Sequence, residues 1–123
     1  MKTILVAEDR DASRELLTVV LSSAGYNVVQ AADGEEALAR AAESTADLVI
    51  LDIHMPRLDG YGVIRQLRAN PVYASVPVIA LTASAMTGDR DSVIAAGFTE
   101  YISKPVNMSM LRREIARLLE NRS

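Results

Sequence analysis

The sequence contains no cysteine, which excludes disulfides, thiolate metal sites and thiol nucleophiles. Its single histidine, His54, is too few for a multi-histidine metal centre. No apolar run approaches the roughly 20 residues that span a bilayer. Met1-Lys2 opens directly into a short apolar stretch with no cleavage-type flank. These absences predict a cytoplasmic protein with no membrane segment. An excess of positive charge is also missing. Lys plus Arg is 13 against 16 Asp plus Glu, for a formal net charge of −3, so the chain has no overall attraction for nucleic acid or anionic lipid and neither is expected as a partner. What is present is 123 residues, 50% of them apolar and 24% charged, the size and balance of one folded domain with a single core.

Short apolar runs alternate with helical patterns along the chain. Ile4 to Ala7 reads as a strand ending in acid. Leu16, Leu17, Val20, Leu21 and Ala24 recur at helical spacing, and Gly25 follows as a stop. Tyr26 to Ala32 predicts a second strand and Gly34 to Ala42 a helix. Leu48 to Leu51 is a fully apolar strand between Asp47 and Asp52, followed by a proline-containing loop and a helix marked by Val63, Ile64 and Leu67. Pro77 to Leu81 predicts a fourth strand, and Asp89 to Ala96 a short helix closed by Gly97. Thr99 to Ser103 predicts a fifth strand. Leu111, Ile115, Leu118 and Leu119 stripe a last helix, capped by Asn107 or Ser109. Five such repeats imply an α/β fold, a parallel sheet with helices on both faces. The uninterrupted apolar strands suit positions buried on both sides.

In an open α/β sheet ligands bind beyond the carboxyl ends of the strands. Glu8 and Asp9 follow the first strand, Asp52 ends the third, Thr82-Ala83 the fourth and Ser103-Lys104-Pro105 the fifth. Three carboxylates on one edge repel one another and favour a bound cation. Mg²⁺ suits oxygen ligands and leaves positions for water and phosphate. Asp52, held at the end of a buried strand, can act as a nucleophile and become an acyl phosphate. Lys104, the Thr82 hydroxyl and a backbone N–H near Ala83 would neutralise the phosphoryl oxygens that the metal does not. No glycine-rich phosphate loop is present. An aspartate-nucleophile hydrolase would carry a second acid two residues after the first, where His54 stands.

Taken together, Glu8-Asp9, Asp52-Ile53-His54-Met55-Pro56, Asp59-Gly60, Thr82-Ala83 and Lys104-Pro105 resemble the response-regulator receiver domain, the CheY-like fold of two-component signalling. The resemblance covers 1–123 as one domain. It is nearest in look to DivK-like single-domain regulators and to the receivers of hybrid histidine kinases. It implies the flavodoxin-like strand order 2-1-3-4-5. It implies Asp52 as phosphoacceptor, with Glu8, Asp9, Asp52 and the backbone carbonyl of His54 as Mg²⁺ ligands. Lys104 would contact the phosphoryl group and be joined to Pro105 by a cis bond. Thr82 would move toward the phosphoryl oxygen and Tyr101 turn inward behind it. Arg10 departs from the pattern, since many members carry a small polar residue there; it either meets phosphate or pairs with Asp11.

The expected function is a phosphorylatable switch, fed by a histidine kinase or a histidine phosphotransfer protein, that catalyses only its own phosphorylation and dephosphorylation. Gly88 and Gly97 flank a fourth helix expected to move. The expected readout face is the fourth helix, fifth strand and fifth helix, binding a downstream protein as a monomer or weak dimer. If the chain is complete at Glu120-Asn121-Arg122-Ser123, with no output domain beyond, its expected output is protein–protein binding. A receiver of a hybrid kinase, a relay intermediate passing phosphate onward, and a small Mg²⁺-dependent phosphatase are the alternatives. Arg112, Arg113 and Arg117 are read as a solvated face, and Met86 and Met108 as gap-fillers.

Overall fold

The computed structural model describes residues 1–83 and 89–120. Met86 and Gly88, singled out above, lie outside the described residues. The elements are β1 (Thr3–Ala7), α1 (Asp11–Ser23), β2 (Asn27–Ala31), α2 (Gly34–Glu43), β3 (Leu48–Asp52), α3 (Gly60–Ala69), β4 (Val78–Thr82), α4 (Asp89–Ala95), β5 (Glu100–Ser103) and α5 (Met108–Glu120). The strands form one sheet in the order β2-β1-β3-β4-β5, with every pairing parallel. No helix among the described residues is long and apolar enough to cross a membrane.

The period-2 geometry of a strand sorts the core into two layers. Leu5, Ala7, Val49, Leu51, Val78 and Ala80 face one side and pack with Ala37 and Ala41 of α2, Val63, Ile64 and Leu67 of α3, and Val93 of α4. Ile4, Val6, Leu48, Ile50, Ile79 and Leu81 face the other and pack with Leu17 and Leu21 of α1 and Leu111 and Ile115 of α5. Strands β3 and β4 are buried at every position, whereas edge strands β2 and β5 are partly open. Central placement therefore explains why only the interior runs lack polar interruptions.

The helix stops at Gly25 and Gly97 have φ of +97° and +118°, the left-handed conformation that glycine adopts without steric cost. Asn107 rather than Ser109 caps α5, its Oδ1 accepting from Met110 N at 3.0 Å. Helix α1 departs from the expected stripe. Leu17 and Leu21 are buried, but Leu16 is 52% exposed and Ala24 lies outside the helix as its cap. With two apolar residues in succession only one can face the sheet.

Two side chains brace the connection from α3 to β4. The Tyr73 hydroxyl is buried, accepting from Ala46 N at 3.0 Å and donating to Ala41 O at 2.9 Å. Arg68 donates to Gly97 O at 2.9 Å, Tyr73 O at 2.8 Å and Val76 O at 2.7 Å. Its guanidinium thus satisfies carbonyls of two loops, including the one that leads into β5.

Candidate functional site

The carboxyl ends of β1, β3, β4 and β5 lie side by side because all four strands run the same way. Register sets Asp52 beside Leu81 and Thr82 beside Ser103. Lys104 N donates to Thr82 O at 2.8 Å, carrying the β5 ladder one residue further. Glu8 N does the same with Ala31 O at 3.1 Å. Both side chains are therefore anchored to the sheet rather than to loose loop.

The residues at this edge form one cluster. Carboxylate oxygens of Glu8, Asp9 and Asp52 all lie within 4.8 Å of one another. Glu8 is 0% and Asp52 4% exposed, while Asp9 is exposed. The Lys104 ammonium sits 2.8 Å from Glu8 Oε2 and 2.8 Å from Asp52 Oδ2. Asp52 Oδ1 accepts from His54 N at 3.0 Å, and Glu8 Oε1 accepts from Arg10 N at 3.2 Å. Burial, reinforced by the Asp52 charge, raises the Glu8 pKa against the opposing hydrogen bond from Lys104. Burial pulls Lys104 down, but its hydrogen bonds to Asp52 and Glu8 prevail and its pKa is raised.

The chemistry of this donor set fits a hard divalent cation. The donors are oxygens only, one ammonium compensates three negative charges, and a cavity of about 610 Å³ opens over them. Its lining includes Arg10, His54, Ala83, Pro105 and Met108. Thr82 is buried at the same edge. The Lys104–Pro105 bond is cis. Tyr101 is half-buried on β5 and packs against the core layer that contains α2, α3 and α4. His54 is exposed.

Replacing Lys104 with Met keeps most of the stem and deletes the charge. Breaking a buried ion pair costs about 3–5 kcal/mol. Because this cavity admits water, about 2 kcal/mol is expected, a fall of about 8 °C in Tm. Thermal unfolding checks this: the loss should be largest in EDTA, and a divalent cation should recover more in Lys104→Met than it adds to wild type. Equal stability in EDTA would contradict the structural role of the pair.

Several contributors escaped sequence reading. Asp11 pairs with Arg14 at 2.6 Å, not with Arg10. Arg14 also donates to Glu8 O at 2.8 Å, fixing the acidic segment to α1; the spacing of Asp11 and Arg14 was the available signal. Asp33 caps α2 by accepting from Glu36 N at 2.8 Å, and Glu36 returns to Ala32 N at 2.6 Å. The Asp-x-x-Glu pattern was legible in the sequence, although the returning bond reaches the residue before the cap and not the cap itself. Arg57, at φ 70°, pairs with Asp33 at 3.2 Å and ties the loop after Asp52 to α2. On α5, Arg117 is not simply solvated, pairing with Glu114 at 2.6 Å and with Glu100 at 3.2 Å; Arg112 and Arg113 are exposed as expected. Met108 is half-buried against the core layer of α1 and α5, in keeping with gap-filling.

Residues 4–116 match the family model described as the response regulator receiver domain. The chain is 42% identical over 118 residues to the "Probable transcriptional regulator ycf27" of Cyanophora paradoxa, covering 96% of this chain and 48% of that protein. The chain thus spans about half the length of that relative. It is 34% identical over 107 residues to the polar-differentiation response regulator DivK of Brucella anthropi, covering 87% of each. Among solved structures it is similar to the receiver domain of sensor histidine kinase PA1611 from Pseudomonas aeruginosa, whose active site cleft holds a coordinated magnesium ion. That likeness has a TM-score of 0.89 and 36% identity, covering 97% of this chain and 98% of the other.

Proposed function

The chain belongs to the response regulator receiver family, and from that membership we propose that Asp52 accepts a phosphoryl group from a histidine kinase or a histidine phosphotransfer protein. Receiver domains are signalling switches rather than conventional enzymes. The observation that carries the assignment of Asp52 is the ammonium of Lys104 held 2.8 Å from both Glu8 and Asp52, beside the Glu8-Asp9-Asp52 oxygen cluster.

Glu8, Asp9 and Asp52, with the backbone carbonyl of His54, are the proposed Mg²⁺ ligands. Bound Mg²⁺ neutralises charge on the phosphoryl oxygens. The chain's own residues do the rest. An Asp52 carboxylate oxygen forms a bond to phosphorus as the P–N bond of the donor phosphohistidine breaks, and the electron pair leaves with the imidazole nitrogen. Placement at the end of a buried strand limits the directions of attack. Lys104, already within hydrogen-bond reach, moves its charge to a phosphoryl oxygen, and the Thr82 hydroxyl with a backbone N–H near Ala83 takes another. Hydrolysis of the acyl phosphate by water resets the switch.

Movement of Thr82, followed by Tyr101, is the proposed link to a readout face formed by α4, β5 and α5. A downstream protein would bind there, in the cytoplasm. New contacts worth about 1.4 kcal/mol bias the two states tenfold, and nearly complete switching needs about 5.5 kcal/mol.

The test is intact mass after incubation with acetyl phosphate and Mg²⁺. A single gain of about 80 Da, one phosphoryl group, is expected, mapping to the peptide containing Asp52 and absent in EDTA. No gain, or a gain that survives EDTA, would overturn the proposal.

A further inference from the structure

Among the described residues, Arg10 is placed unlike any other cation. It follows Glu8 and Asp9 directly and caps α1 through its backbone, without a side-chain hydrogen bond. Its N–H is fixed to Glu8 Oε1, so the residue is anchored to the acidic cluster. Its side chain is exposed and lines the cavity over Asp52. Among the described residues the guanidinium has no hydrogen-bond or ion-pair partner. The acids that could hold it are otherwise engaged: Glu8 and Asp52 by Lys104, and Asp11 by Arg14. Asp9, its neighbour in sequence, does not pair with it within 4.0 Å. A cation kept at a rim of carboxylates without being neutralised by them remains available to an incoming anion.

Charge balance indicates what that anion is. Three carboxylates and one ammonium leave two negative charges, which a divalent cation cancels. Converting Asp52 from a monoanion to an acyl phosphate dianion leaves one negative charge in excess. Arg10 and Lys104 are the two cationic residues lining the cavity among the described residues, and Lys104 is already counted. Arg10 therefore completes neutrality in the phosphorylated form and in no other.

We propose that Arg10 is a specificity-determining residue of the phosphoryl-transfer site, attracting anionic phosphoryl donors and balancing the phosphorylated state while weakening the hold on the divalent cation. This rests on the proposed function above. With acetyl phosphate as donor, an Asp52 oxygen bonds to phosphorus, the P–O bond to the acetyl group breaks, and acetate leaves with the electron pair. Arg10 makes no bond in that step; its field raises the local concentration of the donor and opposes the metal.

The two effects have opposite signs, which a merely structural residue would not produce. The experiment compares wild type, Arg10→Ala and Arg10→Lys in two measurements. The first is Mg²⁺ affinity by calorimetry without donor. The second is initial phosphorylation rate against acetyl phosphate concentration, read by intact mass at saturating Mg²⁺. Arg10→Ala is expected to bind Mg²⁺ about threefold more tightly and to need about threefold more acetyl phosphate for half-saturation, a size suited to one solvent-exposed charge. Arg10→Lys should restore both toward wild type, and both differences should shrink at about 0.5 M salt. Unchanged values, or two shifts in the same direction, overturn the inference alone. Failure of the wild type to be modified overturns the proposed function, and the role of Arg10 with it.

Discussion

Asp52→Asn is expected to fold and to gain no mass from acetyl phosphate under conditions where the wild type gains about 80 Da. An amide oxygen lacks the charge and basicity of a carboxylate oxygen and does not attack phosphorus at a useful rate. The fold should survive because the substitution is isosteric and its stability terms oppose each other. In the wild type both carboxylate oxygens are used, Oδ1 by His54 N and Oδ2 by Lys104. Asparagine has one oxygen, so one of those bonds is lost. In return, a negative charge next to Glu8 and Asp9 disappears, and Lys104 keeps Glu8. The expected metal-free Tm is within a few degrees of wild type, since the opposing terms are each about 1 kcal/mol. The rise in Tm on adding Mg²⁺ should largely vanish with the third carboxylate. Intact mass and thermal unfolding on the same preparation check both halves. A retained gain in mass would identify a different acceptor and end the assignment of Asp52.

Gly34→Ala is expected to destabilise by about 3 kcal/mol, at the upper end for overpacking, or about 12 °C in Tm. A Cβ at Gly34 would collide with the carbonyl oxygen and carbon of Leu58, which are backbone and cannot rotate away. Neither side can give easily. Gly34 opens α2 directly after its Asp33 cap. Leu58 lies in a loop closed by Gly60 N donating to Ile53 O at 2.8 Å and tied to α2 by Arg57 and Asp33. The same loop begins with Ile53 and His54, so forcing it outward should also disturb the acidic site. Gly25→Ala is the control. A Cβ there meets nothing within 4 Å, so only the positive φ opposes it, at about 1 kcal/mol. Urea unfolding of both variants checks the comparison. A Gly34→Ala protein no less stable than Gly25→Ala would refute close contact between α2 and the loop.

Much of the fold was readable because strand and helix patterns are local. The apolar runs at Ile4–Ala7, Leu48–Leu51 and Pro77–Leu81 correspond to β1, β3 and β4, and their lack of polar residues reflects burial on both faces. Element ends were less legible. Thr3, Asp52 and Thr82 belong to strands, and Tyr26, Ala32, Pro77 and Thr99 do not, because pairing with a neighbouring strand sets its ends more than residue type does. Leu16 and Leu17 are alike in hydropathy, and only packing determined that Leu17 faces the sheet. The site was readable through its residue types at strand ends. The supporting cations were not. Arg14, Arg57 and Arg68 look like ordinary surface residues in sequence, and their roles come from carbonyls and carboxylates that other segments bring within reach.

By itself, the amino-acid sequence determined the alternation of strands and helices, the acids and the lysine at strand ends, and the chemistry open to an oxygen-lined cleft without sulfur or multiple histidines. Those follow from side-chain type and short-range periodicity, which need no partner. Only the tertiary structure decided that Lys104 pairs with both Glu8 and Asp52, that Arg10 stands at their rim with no partner among the described residues, and that α2 rests on the loop beyond Asp52. These are distances between segments up to 96 residues apart, set by parallel pairing and by how closely backbones can approach.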